Sequence, residues 1–223
     1  LLSAITSPDI NITTIEDPVE YRLKDANQIQ VNEAQDITFA KGLRSIVRQD
    51  PDVILVGEVR DIETAEISVN AALTGHRVFT TFHASSAAVT IPRMLDMGVE
   101  EFLLASTLSV VVGQRLVRKL CTECRYSYQV QAKDIPMEKP ERFFSGKQTL
   151  YDAKGCEACG GLGYRGRAAV SEVLSVTPAV HDLILKRSDA SAIEAQAIAD
   201  GMETMFAAGL EKVKRGETSL EEL

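Results

Sequence analysis

Glu58 follows an unbroken apolar run, Val53–Val56, after the single glycine Gly57. Three of the four apolar residues are β-branched, which is typical of a strand buried on both faces of a parallel sheet. Ligands bind outside the carboxyl ends of such strands, and a glycine there lets a ligand approach the backbone closely. The sequence therefore predicts that the Glu58 carboxylate faces a ligand, although an isolated glutamate at a strand end can also simply begin a loop.

Further polar side chains are predicted at the same edge of the sheet. Residues 11–15 are predicted as a strand that ends at Glu16 and Asp17, and residues 76–82 as a strand that ends at His83. The order strand, helix, strand implies parallel neighbours, which present their carboxyl ends on one edge. A lone histidine on a strand is more often structural than catalytic, but this convergence makes His83 a candidate for function.

The four cysteines of the chain form two CxxC pairs, Cys121 with Cys124 and Cys156 with Cys159. Two such pairs predict a tetrahedral zinc site with four thiolate ligands, and disulfides or a redox pair are the alternative. Four protein ligands leave no position for a substrate, so we expect the metal to be structural. It would hold together the polar segment 125–155, which is expected to build hardly any core of its own.

The remaining pattern predicts how these residues are positioned. Helices are expected over 38–49, 64–73, 86–97 and 99–119 and from Thr177, Ser191 and Thr218 onward, with a strand over 167–176 and a hairpin or the strands of a small insertion within 21–35. Basic residues at the end of the 99–119 helix, Arg115, Arg118 and Lys119, would match the helix dipole. The first residues resemble the last turns of a helix, so the chain is expected to be a fragment.

Composition limits the classes of function. Hydrophobic residues make up 45% and charged residues 25%, as in an ordinary soluble domain. The net charge of -8 and an aromatic content of 5% argue against a nucleic-acid-binding protein, which needs a basic face. The longest apolar stretch, 102–112, is too short to cross a bilayer as a helix.

Taken in order, these segments resemble the motor ATPases of type II secretion and type IV pilus assembly. ITTIEDPVEY (Ile12 to Tyr21) resembles the Asp box of that family, LRSIVRQDPDVILVGEVRD (Leu43 to Asp61) its Walker B segment, and TGHRVFTTFHA (Thr74 to Ala84) its His box. The two CxxC pairs resemble the tetracysteine region of the assembly and secretion motors, which is generally absent from pilus-retraction motors.

The resemblance implies an α/β fold with a RecA-like P-loop NTPase core on a parallel sheet. The expected domains are a partial core over 1–120, a tetracysteine zinc-binding subdomain over 121–166, and a C-terminal strand and helical region over 167–223. The family's phosphate loop, GxxxxGK[ST], does not occur in the 223 residues. Since that loop supplies the amides, the Lys and the hydroxyl that hold phosphates and Mg²⁺, the core is expected to be truncated at its N-terminal side and inactive alone.

The resemblance also implies roles for the residues at the sheet edge. Glu58 would orient or deprotonate the water that attacks ATP, and Glu16, helped by Asp17, would act on Mg²⁺ or on water. His83 would sense the γ-phosphate, with His76 as a weaker candidate.

Three arginines, Arg44, Arg48 and Arg60, match family arginines that serve as sensor or trans-acting cations. The alternative interpretation is that these arginines form surface salt bridges to the many acidic residues, each contributing little to stability. Positive charge suits phosphoryl transfer, because negative charge develops on the transferred group.

At the level of the whole protein, the resemblance implies a homohexamer that uses ATP, Mg²⁺ and Zn²⁺. It would work with an inner-membrane platform protein and other secretion or pilus components at the cytoplasmic face of the bacterial inner membrane, and no nucleic-acid partner is expected. The alternative is a non-catalytic, zinc-stapled docking module for the platform protein. The sequence does not distinguish secretion from pilus assembly or DNA uptake.

Overall fold

A parallel sheet of four strands lies at the centre of the computed structural model, which describes residues 2–136 and 139–223. The strands are β1 (Ile12–Glu16), β2 (Asn27–Gln30), β3 (Val53–Val56) and β4 (Arg77–Thr80), in the spatial order β2-β1-β3-β4. Each neighbouring pair is parallel. The α/β fold with a parallel sheet, predicted from the sequence, is therefore confirmed.

The two central strands, β1 and β3, are the most deeply buried. Ile54, Ile15 and Val56 are completely inaccessible to solvent, and Val53 is almost so. In the ladder, Ile12 lies opposite Val53 and Ile15 opposite Val56. Apolar residues on both faces hold these strands in register, so Glu16, the last residue of β1, lies beside Gly57, the residue after β3.

The hairpin or insertion expected within 21–35 is not formed, because β2 joins the main sheet as an edge strand parallel to β1. Thr13 pairs with Asn27 and Glu16 with Gln30. An edge strand is only partly covered, so its sequence, NQIQ, carries polar side chains and lacks the apolar signal of a central strand.

Three helices follow strand ends and begin at capping side chains. They are α1 (Phe39–Ile46), α2 (Ile62–Leu73) and α3 (Ala87–Met97), close to their predicted positions. The side chains of Thr38, Asp61 and Ser86 each accept a hydrogen bond from a backbone N–H in the first turn. The Asp61 cap comes three residues after Glu58, so it fixes where the turn between β3 and α2 ends.

The helix predicted over 99–119 is wrong for most of its length. A short helix, α4 (Glu101–Thr107), is followed by a long strand, β5 (Val110–Leu120). The β-branched run 110–112 favours a strand, and apolar periodicity alone does not separate the two states over such a distance. Gly113 allows close packing, since a Cβ there would lie 2.8 Å from Oε1 of Glu172.

The basic residues of β5 therefore do not end a helix. Arg118 donates hydrogen bonds from its side chain to Oε1 of Glu222, the shorter at 2.5 Å, and lies over the ring of Tyr164 with its guanidinium carbon 4.1 Å from the ring centroid. The guanidinium thus binds one carboxylate and one aromatic face, and the predicted match to a helix dipole is replaced by these two contacts.

Two helices in the last third of the chain differ in how well the sequence predicts their capping residue. α5 (Pro178–Leu185) begins at Thr177, as predicted from the Thr-Pro pair. α6 (Ala190–Ala199) begins at Asp189, whose side chain accepts from the N–H of Ala192, and not at Ser191. Asp and Ser both cap helices, so their order in the sequence left the starting residue open.

The chain divides into two compact units, each made of two stretches of sequence. The first contains Leu1–Val111 and Leu174–Asp200, and the second contains Val112–Val173 and Gly201–Leu223. The three-part division expected from the sequence remains a prediction about domains.

The second unit contains an antiparallel pair, β6 (Arg125–Gln131) and β7 (Lys147–Ala153), and the helix α7 (Met205–Lys214). β5 and β8 (Tyr164–Ser175) form a two-stranded sheet. A small core joins the polar segment to α7 and consists of Ala132, Ile135, Phe144, Leu150, Leu210 and Val213. The segment 125–155 therefore has more of a core than predicted. Instead of the helix predicted from Thr218, the chain forms a 3-10 turn, Leu220–Glu222.

A helix able to span a bilayer is absent from residues 2–136 and 139–223.

Candidate functional site

The carboxyl ends of β1, β3 and β4 carry the acidic and histidine side chains predicted for the site. The backbone between them is tightly held at Gly57, whose N–H donates to the carbonyl of Ile15 at 2.7 Å. A Cβ on Gly57 would lie 3.1 Å from the Ile15 oxygen and from Cα of Glu16, so a larger residue would require β1 and β3 to shift apart by a few tenths of an ångström. The hydroxyl of Thr81 donates to the Gly57 carbonyl at 2.6 Å, which fixes the residue before Glu58 from the other side.

Glu58 is the centre of a charged network. Its Oε1 accepts a hydrogen bond from Arg60 at 2.5 Å, and its Oε2 lies 3.3 Å from Nε2 of His83. Arg60 also lies 3.8 Å from a carboxylate oxygen of Asp17. The Glu58 side chain is 15% exposed, whereas that of His83 is 90% exposed. The largely covered carboxylate is therefore contacted by two more exposed side chains, the guanidinium of Arg60 and the imidazole of His83.

The network makes Glu58 a stronger acid. The pKa of its carboxyl is lowered, mainly because Arg60 donates a hydrogen bond and adds positive charge, and further because His83 contacts the second oxygen. Partial burial opposes this change. The carboxylate therefore stays ionised to lower pH than an isolated glutamate, and its basicity is held down while Arg60 is bound to it.

We expect Arg60→Ala to raise the pKa of the Glu58 carboxyl. Because the folded-state pKa is lowered in the wild type, the stabilising contact is present above the ordinary carboxyl pKa and is lost as pH falls through the lowered value. An NMR titration of ¹³C-labelled glutamate carboxyls would measure the change. Arg22→Ala, at an exposed arginine outside the network, is the control, and an unchanged Glu58 titration in Arg60→Ala would contradict the geometry.

Glu16 belongs to a different cluster from Glu58. Residues alternate between the faces of a strand, so Thr14 and Glu16 share one face of β1. Oε1 of Glu16 accepts from the hydroxyl of Thr14 at 2.5 Å and from Nε2 of Gln28 at 2.9 Å. The expected partner of Glu16, Asp17, instead lies beside Arg60. The sheet edge therefore presents two groups of carboxylates.

The other predicted arginines are not part of the Glu58 network. Arg44 on α1 donates to Glu63 on α2 at 2.6 Å, and both side chains are about half exposed. Arg48 is exposed on the 3-10 turn Val47–Gln49, and no ion pair to it is found among residues 2–136 and 139–223. Their roles as trans-acting or sensor cations stay predictions.

His76 lies at the opposite end of β4 from His83. Its Nδ1 is 2.9 Å from the carbonyl of Ala71 and 3.1 Å from the hydroxyl of Thr74, both at the end of α2. These contacts give the ring a structural role at the helix end. The structure does not bring His76 to the edge that carries Glu58.

The four cysteines form a candidate metal centre in the second unit. Their sulfur atoms all lie within 4.8 Å of one another, although the two pairs are far apart in sequence. All four are free thiols, and Cys121 and Cys159 are buried. Backbone N–H groups of Cys156 and Gly163 donate to the sulfur of Cys159 and lower its pKa to about 6. These donors favour the thiolate of Cys159, the form that binds metals, whereas burial raises the pKa of Cys124 to about 12.

The spacing of the sulfurs fits zinc. A tetrahedron with Zn–S bonds of about 2.3 Å places its sulfurs about 3.8 Å apart. The observed separations are 3.9 Å for Cys121 with Cys156, 3.9 Å for Cys124 with Cys159, and 3.8 Å for Cys156 with Cys159. The predicted clustering is therefore present, and the donor set is one that Zn²⁺ prefers.

Sequence reasoning missed three residues that hold the carboxylates in place, Thr14, Gln28 and Thr81. Their contacts depend on strand register, since Thr14 pairs with Gln28 across the β1–β2 ladder. A polar residue two positions before Glu16 on the same face was the one available signal. Without knowing that β2 lies beside β1, Gln28 had no identifiable partner.

Comparison with known proteins gives a match over the whole chain. The family described as Type II/IV secretion system protein matches residues 1–223. Type II secretion system protein E from Aeromonas hydrophila is 47% identical over 227 residues, covering 100% of this chain and 44% of the relative. The type IV pilus assembly ATPase PilB from Pseudomonas aeruginosa is 43% identical over 222 residues, covering 100% of this chain and 39% of the relative.

A solved structure of a pilus motor is also similar to this chain. The pilus retraction motor PilT with bound ADP matches with a TM-score of 0.64 and 29% identity, over 96% of this chain and 51% of that chain. The chain thus spans less than half the length of the two curated relatives and about half of PilT.

Proposed function

The chain belongs to the type II/IV secretion system protein family, and on that premise we propose that it is part of an ATP-hydrolysing motor subunit. The motor would power type II protein secretion or type IV pilus assembly, as the names of the two relatives suggest. The observation that carries the proposal is the largely covered Glu58 carboxylate, held between Arg60 and His83 at the carboxyl edge of a parallel sheet.

Glu58 is the group proposed to handle water. Its position between a cation and an imidazole lets it orient a water molecule and accept a proton once Arg60 turns away from it. Phosphoryl transfer needs in-line positioning of the nucleophile more than covalent chemistry, and a carboxylate on a buried strand end provides a fixed reference point.

Glu16 and Asp17 are the residues proposed to hold Mg²⁺, whose chemistry when bound is to neutralise charge on the phosphate oxygens. Carboxylate oxygens suit this hard cation. The fit is supported at Glu16, since Oε1 is occupied by two protein donors and Oε2 has no hydrogen-bond partner within the described residues. Asp17 lies on the Arg60 side and links the two groups of carboxylates.

The cations are proposed to meet phosphate. His83 is exposed and can contact the γ-phosphate while remaining near Glu58. Arg60 can move from the Glu58 carboxylate to a phosphate oxygen, which also carries negative charge. Arg44 on α1 and Arg48 on the 3-10 turn that follows it are both exposed, and they are proposed to act as sensor cations or on the site of a neighbouring subunit.

At the level of the assembly, we propose a homohexamer at the cytoplasmic face of the inner membrane, in contact with a platform protein and other secretion or pilus components. The cysteine centre is proposed to bind one structural Zn²⁺. That centre also favours a second candidate function, a zinc-stapled docking module without catalysis.

Phosphate release by the purified full-length gene product, with ATP and Mg²⁺, tests the proposal. We expect Mg²⁺-dependent turnover from that protein and negligible turnover from the 223 residues alone, because they contain no GxxxxGK[ST] phosphate loop. A full-length product that binds its partners but never hydrolyses ATP would favour the docking module instead.

A further inference from the structure

The side-chain amide of Gln28 joins three parts of the chain. Its Nε2 donates to Oε1 of Glu16 at 2.9 Å and to the carbonyl of Tyr21 at 3.0 Å, and its Oε1 accepts from the N–H of Leu23 at 2.7 Å. A carboxylate and a carbonyl only accept hydrogen bonds, and a backbone N–H only donates. The amide therefore fits in a single orientation, and β2, β1 and the loop between them are linked at one point.

The contacts at Glu16 show what this link does to the carboxylate. Thr14, which is completely buried, donates to the same oxygen that Gln28 contacts. Both donors lie on the β1–β2 side, so Oε1 is anchored between two strands. With one oxygen anchored, rotation of the carboxylate is restricted and Oε2 is held in a constant direction.

We propose that Gln28 is a positioning residue that orients the Glu16 carboxylate for ATP hydrolysis, an inference that rests on the proposed function. Gln28 acts through Glu16 and does not itself contact nucleotide or metal. Its second task is to bind the loop between β1 and β2 through Tyr21 and Leu23, so that the carboxylate and the neighbouring loop are fixed together.

An amide is the group that meets these requirements. Glutamate at this position would place a carboxylate against Glu16 and against the Tyr21 carbonyl, where only donors are satisfied. Leucine would keep a similar volume and remove all three hydrogen bonds. Gln28→Leu therefore removes all three contacts without adding charge, whereas Gln28→Glu removes the two donated contacts, keeps an acceptor for the Leu23 N–H and adds a negative charge.

Steady-state kinetics of the full-length gene product test the role. We expect Gln28→Leu to lower kcat about 10- to 100-fold, because outer partners of a ligating group typically have effects of this size. KM for ATP should change by less than about threefold, since Gln28 acts through Glu16 and touches neither ATP nor Mg²⁺. Gln28→Glu should be at least as impaired. Gln35→Leu makes the same chemical change at an exposed residue of the 3-10 turn Glu33–Gln35; it is the matched control and should behave as wild type.

Amide hydrogen exchange gives a readout that does not depend on turnover. The Leu23 N–H should exchange faster in Gln28→Leu, which removes its acceptor, and at the wild-type rate in Gln35→Leu. If Gln28→Leu does not fold, Gln28→Glu, which keeps the size and shape of the side chain, decides the matter. Wild-type kcat in a folded Gln28 variant would overturn the positioning role alone. A 10- to 100-fold rise in KM for ATP at unchanged kcat would overturn it too. An inactive wild type would overturn the proposed function, and this role with it.

Discussion

Replacing Glu58 with Gln in the full-length gene product is expected to lower ATP turnover by about a hundredfold or more. Gln keeps the size of the side chain and can still accept a hydrogen bond from Arg60, but it has neither the charge nor the basicity of a carboxylate. The Glu58 side chain is 15% exposed and tightly surrounded, so a substitution that preserves its shape should leave the sheet intact. The loss would then reflect chemistry and not folding.

The control for this experiment lies one element further along the chain. Glu66 is exposed on α2, and Glu66→Gln makes the same chemical change away from the sheet edge. We expect it to keep wild-type turnover. Phosphate release at saturating ATP, with circular dichroism to confirm folding, compares the variants. A fully active Glu58→Gln enzyme would mean that another group handles water.

Removing the metal from the cysteine centre is expected to unfold the second unit around β6 and β7. Structural zinc sites have apparent binding free energies of about 10–16 kcal/mol, which exceeds the stability of a typical small domain. The local apolar core has few members, so it offers little to replace the metal. Metal analysis should find one zinc per chain, and a strong chelator should abolish hydrogen-exchange protection at both strands.

Single substitutions test the ligands individually. Cys121→Ser should lower zinc content and remove protection at β6, because an alcohol does not replace a thiolate on zinc. Thr122→Ala, inside the same CxxC pair and exposed, should retain the metal. Purified protein without zinc, or with both pairs oxidised to disulfides, would contradict the prediction.

The sequence was sufficient for the central strands and for the main cluster at their ends. The run Val53–Val56 identifies a buried strand by composition alone, and the order of elements implies that Glu58 and His83 share an edge. Four cysteines in two pairs likewise indicated one centre, since their residue type and spacing suffice. These predictions depended on local pattern and a general rule of topology.

The rest depended on which segments lie side by side. The partner of Asp17 is Arg60 and the partner of Glu16 is Gln28, and neither pairing can be deduced before the strand register is known. The residues of β5 were assigned to a helix because a run of apolar residues fits both periodicities over a short window. Tertiary contacts decided between the two states there.

The order of strands in the sheet also determines when each contact at its edge becomes possible during synthesis. β1 lies between β2 and β3, so it is synthesised before both of its neighbours in the sheet. When β2 leaves the ribosome, both partners of the Gln28–Glu16 hydrogen bond have been synthesised, whereas Glu58 has not. The contact between Glu58 and His83 closes only after β4 has followed. A ribosome stalled between β2 and β3 should therefore carry a nascent chain that contains Glu16 and Gln28 but lacks Glu58 and His83, so the carboxylate edge cannot yet be completed.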